Sequence, residues 1–216
     1  MVYDYRYMAV AERHRQMLAG AENSRRAGPG RPRRPWPGRR SARRSAGHGL
    51  PAVLRDGSQV LIRPVGPADV PFLADGFARL SARSRQLRFL GPKKRLTSAE
   101  LKYLTEIDGH DHAAVVAVMA LKPWMIVGVG RYVRLADHPD TADVAIVIGD
   151  PWQHQGLGRH LGALLADIAR EHGIKRFSAT LLSDNVAAHR LFKAISARLS
   201  SHHSHGVEEL VAELAA

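Results

Sequence analysis

The alternation of apolar and polar positions predicts a folded region from residue 51 onward. Apolar runs rich in β-branched residues are typical of strands, and apolar residues three and four positions apart are typical of amphipathic helices. These patterns predict strands at residues 60–64, 113–120, 125–133, 144–148 and 177–182. They predict a helix after Pro67, which continues as a second, basic helical piece over 79–90. Further helices are predicted after Thr97, from residue 157 onward and over 185–195.

The order of these elements indicates the fold class. It is β-α-α-β-β-β-α-β-α with a short C-terminal hairpin, and no internal repeat is visible. Strands that alternate with helices in this way are typical of an α/β protein with helices on both faces of its sheet. Because some strands follow one another directly, we expect a mixed sheet of the α+β kind.

A glycine-containing loop links the strand at 144–148 to the longest predicted helix. The helix follows from an apolar stripe that includes Leu161 and Leu165. The first N–H groups of a helix lack carbonyl partners, and the helix dipole adds positive potential at the same end. Gly156 and Gly158 remove side chains that would block close approach. The loop is therefore a candidate phosphate-binding site.

The basic charge of the chain is concentrated at its start. The 216 residues carry a formal net charge of +12. Residues 1–50 contain 12 Arg and three acidic residues, whereas residues 51–216 are close to neutral. Residues 27–49 are mostly Gly, Pro, Arg, Ser and Ala, which cannot bury enough apolar surface to offset the entropy of ordering. We expect a disordered basic tail at 1–50 and a single domain at 51–216.

Composition also narrows the partners and the chemistry. An arginine-rich tail can contact nucleic acid or anionic lipid without sequence specificity, but charge runs are more often simply solvated, so this interpretation is not favoured. The chain has no cysteine, which excludes disulfides, thiolate metal sites and a cysteine nucleophile. Because we see neither a membrane-length apolar run nor a secretory signal, we expect a cytoplasmic protein without a membrane span.

Two signatures in the second half of the chain resemble those of a known family. Gln153, Gly156 and Gly158 match the Q/R-x-x-G-x-G/A signature of the GNAT superfamily of acetyl-CoA-dependent N-acetyltransferases. Residues 183–192, which contain Asn185 and end in a Leu-Phe pair, resemble its second signature. The two signatures are moderately specific alone and strong together in this order.

The resemblance extends upstream to residues 54–64 and 84–91, which are similar to the GNAT domain of bacterial Pat-type protein lysine acetyltransferases. It covers residues 51–216. It implies an enzyme that moves an acetyl group from acetyl-CoA to a primary amine by direct transfer in a ternary complex. The Pat-like region favours a protein lysine as the acceptor.

The resemblance also implies where acetyl-CoA binds. In the family a bulge in the fourth strand, which corresponds to the predicted strand at 144–148, separates it from the fifth strand, which corresponds to 177–182. The backbone groups freed by the bulge bond the cofactor. Carried onto this sequence, Ile146 and Ile148, with Val147 between them, follow the pantetheine arm. Asn185 faces the cofactor and also suits a plain helix N-cap. The pyrophosphate is surrounded by loop residues, which are His154, Gln155, Gly156, Leu157, Gly158 and Arg159.

Asp143 is the candidate general base that the resemblance supplies. An amine like that of lysine, with a pKa of about 10.4, must lose a proton before it attacks, and a carboxylate can accept that proton. Many relatives carry Glu where this chain carries the shorter Asp143. A plain strand-end cap is the alternative role. The next candidate bases lie before the second strand and are Glu106, Asp108, His110 and His112.

Some positions depart from the family pattern. Phe192 stands where many relatives carry the Tyr that protonates the leaving thiolate, and Ser196 and Ala197 replace a usual Gly-Phe pair. These departures leave a degenerate, non-catalytic acyl-CoA-binding module as the alternative function.

Two further motifs suggest other chemistry. Gly156, Gly158 and Gly162 also spell a variant dinucleotide fingerprint with Asp184 as its acid, but the chain after it is too short for a nicotinamide domain. Residues 202–205 hold three histidines without a second ligand cluster. We therefore expect a polar turn there and no metal site.

Overall fold

The computed structural model describes residues 49–204 and 206–215. The predicted tail therefore lies outside the described residues up to residue 48. The described strands are β1 (Leu50–Val53), β2 (Gln59–Pro64), β3 (His112–Met119), β4 (Lys122–Arg134), β5 (Thr141–Ile148), β6 (Arg176–Leu182), β7 (Ser196–Ser204) and β8 (Val207–Leu214). The described helices are α1 (Val70–Arg79), α2 (Ala82–Phe89), α3 (Ser98–Thr105), α4 (Leu157–Glu171) and α5 (Val186–Ile195).

The strands form one mixed sheet in the order β1-β2-β3-β4-β5-β6-β8-β7. Neighbouring strands are antiparallel except β5 and β6, which run parallel. A parallel pair needs a crossover connection, and α4 makes it. This arrangement confirms the predicted α/β class with a mixed sheet.

Helices cover both faces of the sheet. Val115 of β3 packs in the core cluster that includes α4 and α5, whereas its neighbour Val116 packs in the cluster that includes Leu73 of α1. Successive strand residues point to opposite faces, so β3 is buried on both sides, which explains its continuous apolar run. Within the described residues, no helix is long and apolar enough to cross a membrane.

The prediction from the sequence pattern is wrong at the two edges of the sheet. It misses β1, and it places residues 202–205 in a turn, whereas His202 and His203 lie in β7. Both strands pair on one side only, and most of their side chains are exposed. A strand with both faces in water shows no alternation of apolar and polar residues. Residue 205 is outside the described residues.

Three described helices, rather than the two in the predicted order, separate β2 from β3. α1 ends at Arg79 because Leu80 adopts an extended conformation. The Ser81 hydroxyl then accepts a hydrogen bond from the Ser84 amide and begins α2. Thr97 forms a capping box with Glu100 at the start of α3. Helix caps therefore divide a region that the apolar pattern alone makes continuous.

Two glycines let α4 lie close to β4. A Cβ on Gly130 would lie 2.9 Å from Leu165 Cδ1 and 3.5 Å from Leu161 Cβ. A Cβ on Gly128 would meet Leu157 Cδ2 at 3.1 Å. Glycine weakens a strand interior unless another element approaches closely. The sequence of β4 is thus explained by the helix that covers it.

Gly130→Val tests this packing. We expect the free energy of unfolding in urea to fall by about 1–3 kcal/mol, because the added carbons overpack the contact with α4. Gly66→Val is the matched control, since Gly66 has a φ of −146° and a Cβ there would meet nothing within 4 Å. An equal loss of stability in both variants would contradict the packing explanation.

Candidate active site

β5 and β6 separate along their length and leave an open wedge. They pair only at the start of each strand, residues 141–143 with 176–178. β6 then continues to pair with β8 as far as Leu182, and β5 continues to pair with β4 as far as Ile148. Beyond Asp143, the described β5 has no neighbouring strand on its β6 side.

The open side of β5 presents the backbone groups of every second residue. In an antiparallel pair, residues that bond to the partner strand alternate with residues that face away from it. The Gly149 amide donates to the Val127 carbonyl, so Val147, two residues earlier, also bonds toward β4. By the same alternation, Ile146 and Ile148 direct their N–H and C=O groups into the wedge.

The bulge that the family resemblance implies is not found in the described β5. Its pairing with β4 runs without a register shift from Gly128 and Ile148 to Arg134 and Ala142. β6 instead keeps continuous pairing with β8 over its whole length. Strands in a sheet twist relative to one another. β6 stays aligned with β8 over its whole length and diverges from β5. The wedge therefore arises from the choice of strand partner.

The start of α4 follows directly after the open end of β5. Gly156 has a φ of +92°, in the left-handed region that favours glycine. The amides of Arg159 and His160 both donate to the Gly156 carbonyl. Among the described residues, the amides of Gly156, Leu157 and Gly158 have no acceptor, as is usual for the first N–H groups of a helix. This end of α4 can therefore bind an anion.

Arg55, which the sequence analysis does not identify, holds the glycine loop. It lies in the turn between β1 and β2, and its amide donates to the Gln155 carbonyl at 3.1 Å. Its Nη1 donates to the His154 carbonyl at 3.4 Å, across 99 residues of sequence. His154 has a φ of +61°, which is uncommon for a residue other than glycine. No local pattern could reveal a contact between segments so far apart.

A polar network joins the loop to α2. Asp150 accepts hydrogen bonds from the amide and hydroxyl of Ser81 and from the hydroxyl of Ser84. Burial opposes ionisation of Asp150, but the hydrogen bonds from Ser81 and Ser84 outweigh it and lower the pKa of Asp150. Gln153 donates to the Ser84 hydroxyl and to the Ile148 carbonyl. The first signature residue thus fixes the end of β5.

Asn185 and Phe192 lie on α5. The Asn185 Oδ1 accepts a hydrogen bond from the Ala188 amide at 3.2 Å, which is the N-cap contact. Its NH₂ group remains available as a donor to a second partner. Phe192 is buried in the core and has no hydroxyl, so this position supplies no proton donor.

Asp143 lies at the last pair between β5 and β6, opposite Ser178. It is half-buried, and strand alternation places its side chain on the same face as Ala145 and Val147, toward α1–α3. Burial lowers the pKa of Arg88, and the nearby charge of Asp143 partly offsets that effect. The charges of Asp143 and Arg88 therefore interact at the root of the wedge.

Arg131 and His112 form a buried pair on this face. Arg131 Nη1 lies 3.2 Å from His112 Nε2, and Arg131 Nη2 donates to the Leu104 carbonyl. A guanidinium only donates, so the His112 ring accepts and is neutral. Burial, followed by the charge of Arg131, lowers the pKa of His112 to about 3. The Tyr103 ring stacks on His112 with centroids 4.8 Å apart.

The loop before β3 is organised by Asp108. Its Oδ1 accepts hydrogen bonds from the amides of His110, Asp111 and His112. Asp108 and the neutral, buried His112 therefore have structural contacts of their own, which weakens their case as alternative bases. Glu106 caps the end of α3.

The His-rich segment of β7 approaches a buried glutamate. His203 Nε2 lies 3.4 Å from Glu208 Oε1, and His189 Nε2 lies 3.6 Å from the same oxygen. In the part of the chain that the structure describes, no group of three or more His, Asp or Glu side chains is placed to hold a metal ion.

A cavity of about 70 Å³ lies on the α1–α3 face, where Ala145 and Val147, which share that face of β5 with Asp143, line it. Arg88 and Arg131 line it. Its apolar walls come mainly from α1 and from the middle of β4 and β5, and include Leu73, Phe77, Leu80, Val129, Ala145 and Val147.

Comparison with known proteins agrees with this geometry. A family model described as the acetyltransferase (GNAT) family matches residues 83–195, slightly more than half of the chain. The chain belongs to the GNAT family. The match confirms the predicted family and its acyltransferase class.

Individual relatives are similar over most of the described domain. The chain is 34% identical over 149 residues to acetyltransferase Pat of Mycolicibacterium smegmatis, covering 68% of this chain and 44% of that protein. The GNAT domain of S. lividans PAT has a TM-score of 0.69 and 28% identity, covering 76% of this chain and 96% of that chain. A cAMP-binding acyltransferase from Mycobacterium smegmatis has a TM-score of 0.55 and 29% identity, covering 84% of this chain and 54% of that chain. This GNAT chain thus spans about half the length of the two mycobacterial proteins.

The buried neutral His112 predicts a pH-dependent stability. Its pKa is about 3 in the fold and about 6.5 when unfolded. Between these values the unfolded chain binds one more proton than the folded chain, so the free energy of unfolding falls by about 1.4 kcal/mol for each unit that the pH drops. Urea unfolding should show little change above about pH 7.5 and approach this slope between about pH 6 and 4.5, and His112→Gln should remove the slope.

The control for this prediction is His138→Gln, because His138 is exposed and should leave the slope unchanged. Parallel stability curves for the wild type and His112→Gln would contradict a neutral, buried His112.

Proposed function

We propose that this protein transfers an acetyl group from acetyl-CoA to a primary amine by direct transfer within a ternary complex. The observation that carries the proposal is the wedge between β5 and β6, followed at once by the open amides of α4. Strand backbone can bond an extended arm as an added strand would, and helix N-termini bind phosphate. Membership in the GNAT family supports the same activity.

The residues of the wedge and the loop suit the two parts of acetyl-CoA. The backbone of Ile146 would bond the pantetheine arm, while the Ile148 carbonyl already accepts a hydrogen bond from Gln153. The unpaired amides at the start of α4 would bind the pyrophosphate, and the exposed Arg159 adds positive charge beside them. The Asn185 NH₂ group is a further donor. Acetyl-CoA supplies the acetyl group as a thioester, which is already activated toward an amine.

Asp143 is proposed as the proton acceptor. It lies where the wedge begins and is half-buried, which suits a group that must meet an amine inside the cleft. The amine nitrogen bonds to the acetyl carbon while the carbon–sulfur bond breaks, and the amine proton passes to Asp143 directly or through water. The other role considered for Asp143, a strand-end cap, predicts no effect on turnover.

The leaving group departs without help from α5. Phe192 is buried and has no hydroxyl that could donate a proton. A thiol has a pKa of about 8.5, so a thiolate can leave near neutral pH and be protonated by solvent. The competing function, a module that binds acyl-CoA without turnover, shares the wedge and the loop. It differs in predicting acetyl-CoA binding with no acetylated product.

The acceptor and the location are less defined than the acetyl donor. The Pat-type resemblance favours a protein lysine, but the matched part covers only 44% of the M. smegmatis Pat protein. We therefore propose a primary amine as the acceptor class, with the lysine as one member of it. A cytoplasmic location, and contact of the basic tail at residues 1–50 with nucleic acid, stay predictions from the sequence.

Acetyl-CoA binding is the first test of this function. At about one hundred times its dissociation constant, a ligand of the folded state raises the free energy of unfolding by about 2.7 kcal/mol. We expect a matching rise of the Tm with acetyl-CoA. Gly158→Val should abolish that rise, because the new side chain blocks the amides. The variant should still fold, since a Cβ there would lie 3.6 Å from Leu191 Cδ2, an ordinary contact.

Gly66→Val again serves as the control and should keep the full shift with acetyl-CoA. No shift in the wild type at millimolar acetyl-CoA would contradict the proposal. A shift with NADH but not with acetyl-CoA would favour the dinucleotide-binding interpretation.

Asp143→Asn tests the base. Loss of a general base lowers turnover by roughly 10²–10⁴-fold, whereas the affinity for acetyl-CoA should stay close to that of the wild type. The deficit should shrink as pH rises, because solvent then deprotonates the amine unaided. Release of CoA thiol, measured across neutral and alkaline pH, reports both the loss of turnover and its dependence on pH. Asp143→Glu restores the carboxylate of many relatives and should retain activity.

Asp137→Asn is the control for the lost charge, since Asp137 is exposed and lies in the loop between β4 and β5. Turnover of Asp143→Asn equal to that of the wild type at neutral pH would remove Asp143 from the mechanism.

A further inference from the structure

The cavity on the α1–α3 face is lined by more positive than negative charge. Of the described residues that line it, two are arginines and none is acidic. Arg88 comes from the last turn of α2, and Arg131 comes from the second half of β4. Asp143 offsets part of the charge on Arg88, but one carboxylate cannot balance two guanidinium groups. A net positive charge therefore faces the apolar space next to the proposed base.

Arg131 is the more deeply buried of the two, with 2% of its surface exposed. Its Nη atoms contact the neutral His112 ring and the Leu104 carbonyl, neither of which carries a negative charge. Burial, with the charge of Arg88, lowers the pKa of Arg131 to about 9, so it remains protonated at neutral pH. A buried charge without a full counter-charge is unfavourable, and an incoming anion would relieve it.

These two charges decide which amines can approach Asp143. If the acceptor molecule carries an ammonium group and no carboxylate, both guanidinium groups repel it. A carboxylate on the same molecule removes the repulsion, because it pairs with the planar fork of an arginine. The same positive charges lower the pKa of the bound amine and thus favour its uncharged, reactive form.

We propose that this cavity is the acceptor subsite, and that it selects a small primary amine that bears a carboxylate and a short apolar body. This inference rests on the proposed acetyltransferase function and names the class of acceptor. Arg88 and Arg131 bind the carboxylate, the α1 and β5 side chains contact the apolar body, and the amine faces Asp143. A lysine on a protein surface brings its amine on an uncharged chain and supplies no carboxylate to Arg88 and Arg131.

The test compares matched acceptors with the full chain and acetyl-CoA. Leucine and leucinamide differ only in the carboxylate, and a lysine peptide blocked at both ends represents the protein acceptor. We expect kcat/KM for leucine to exceed that for leucinamide by about 10- to 100-fold, the range for one or two charge-assisted hydrogen bonds. The blocked lysine peptide should be acetylated no faster than leucinamide.

Arg88→Gln should collapse this preference by raising the KM for leucine about tenfold or more, with the KM for acetyl-CoA unchanged. Arg95→Gln is the matched control, because it removes the same charge at an exposed position and should keep the preference. Calorimetric titration of leucine and leucinamide into the protein saturated with CoA gives a second readout that does not depend on turnover. Leucine should bind about tenfold more tightly, and only in proteins that retain Arg88.

Equal kcat/KM values for leucine and leucinamide, or faster acetylation of the blocked lysine peptide, would overturn the subsite and leave the acetyltransferase function intact. A preference for leucine that survives Arg88→Gln would also overturn it. Binding of acetyl-CoA without turnover of any amine would instead contradict the proposed function, and this inference with it.

Discussion

Backbone groups inside a protein need hydrogen-bond partners, and β5 lacks them along half of its length. The strand is fully paired with β4, but its pairs with β6 end at Asp143. An unsatisfied backbone N–H or C=O costs free energy comparable to a lost hydrogen bond. The half-buried Ile146 must therefore bond to water or to a ligand, whereas the Ile148 carbonyl already accepts a hydrogen bond from Gln153. The candidate site depends on this interrupted ladder, since Asp143 lies at its last pair with β6 and the glycine loop follows the open end of β5.

Segments that are distant in sequence hold the mouth of the wedge rigid. Arg55, in the hairpin at the start of the domain, bonds to the carbonyls of the glycine loop. The Ser81 and Ser84 hydroxyls hold Asp150, and Gln153 holds the Ile148 carbonyl. Preorganised donors bind an anion with little loss of conformational entropy. The loop amides can therefore be directed at a phosphate before one arrives.

The two faces of the sheet differ in the side chains that they bury. The α4 and α5 face is an ordinary core, in which glycines on β4 permit close helix packing. The α1–α3 face carries buried charge, with Arg131, Arg88 and Asp143 near a neutral His112. Burying these groups lowers the stability of the fold, and proteins tolerate such costs mainly at functional sites. The wedge opens at this charged side, because Asp143 lies at the last pair between β5 and β6.

The sequence by itself determined the fold class, the glycine loop and the family. Apolar runs buried on both faces, capping residues such as Thr97, and the glycine spacing are local signals, because each reflects the backbone conformation of its own segment. The exposed edge strands β1 and β7 left no such signal. Only the tertiary structure decided that β6 follows β8 and opens the wedge, that Arg55 holds the loop, and that Arg88 and Arg131 meet beside Asp143. Those arrangements join residues tens of positions apart, and no periodicity in one segment can specify a partner in another.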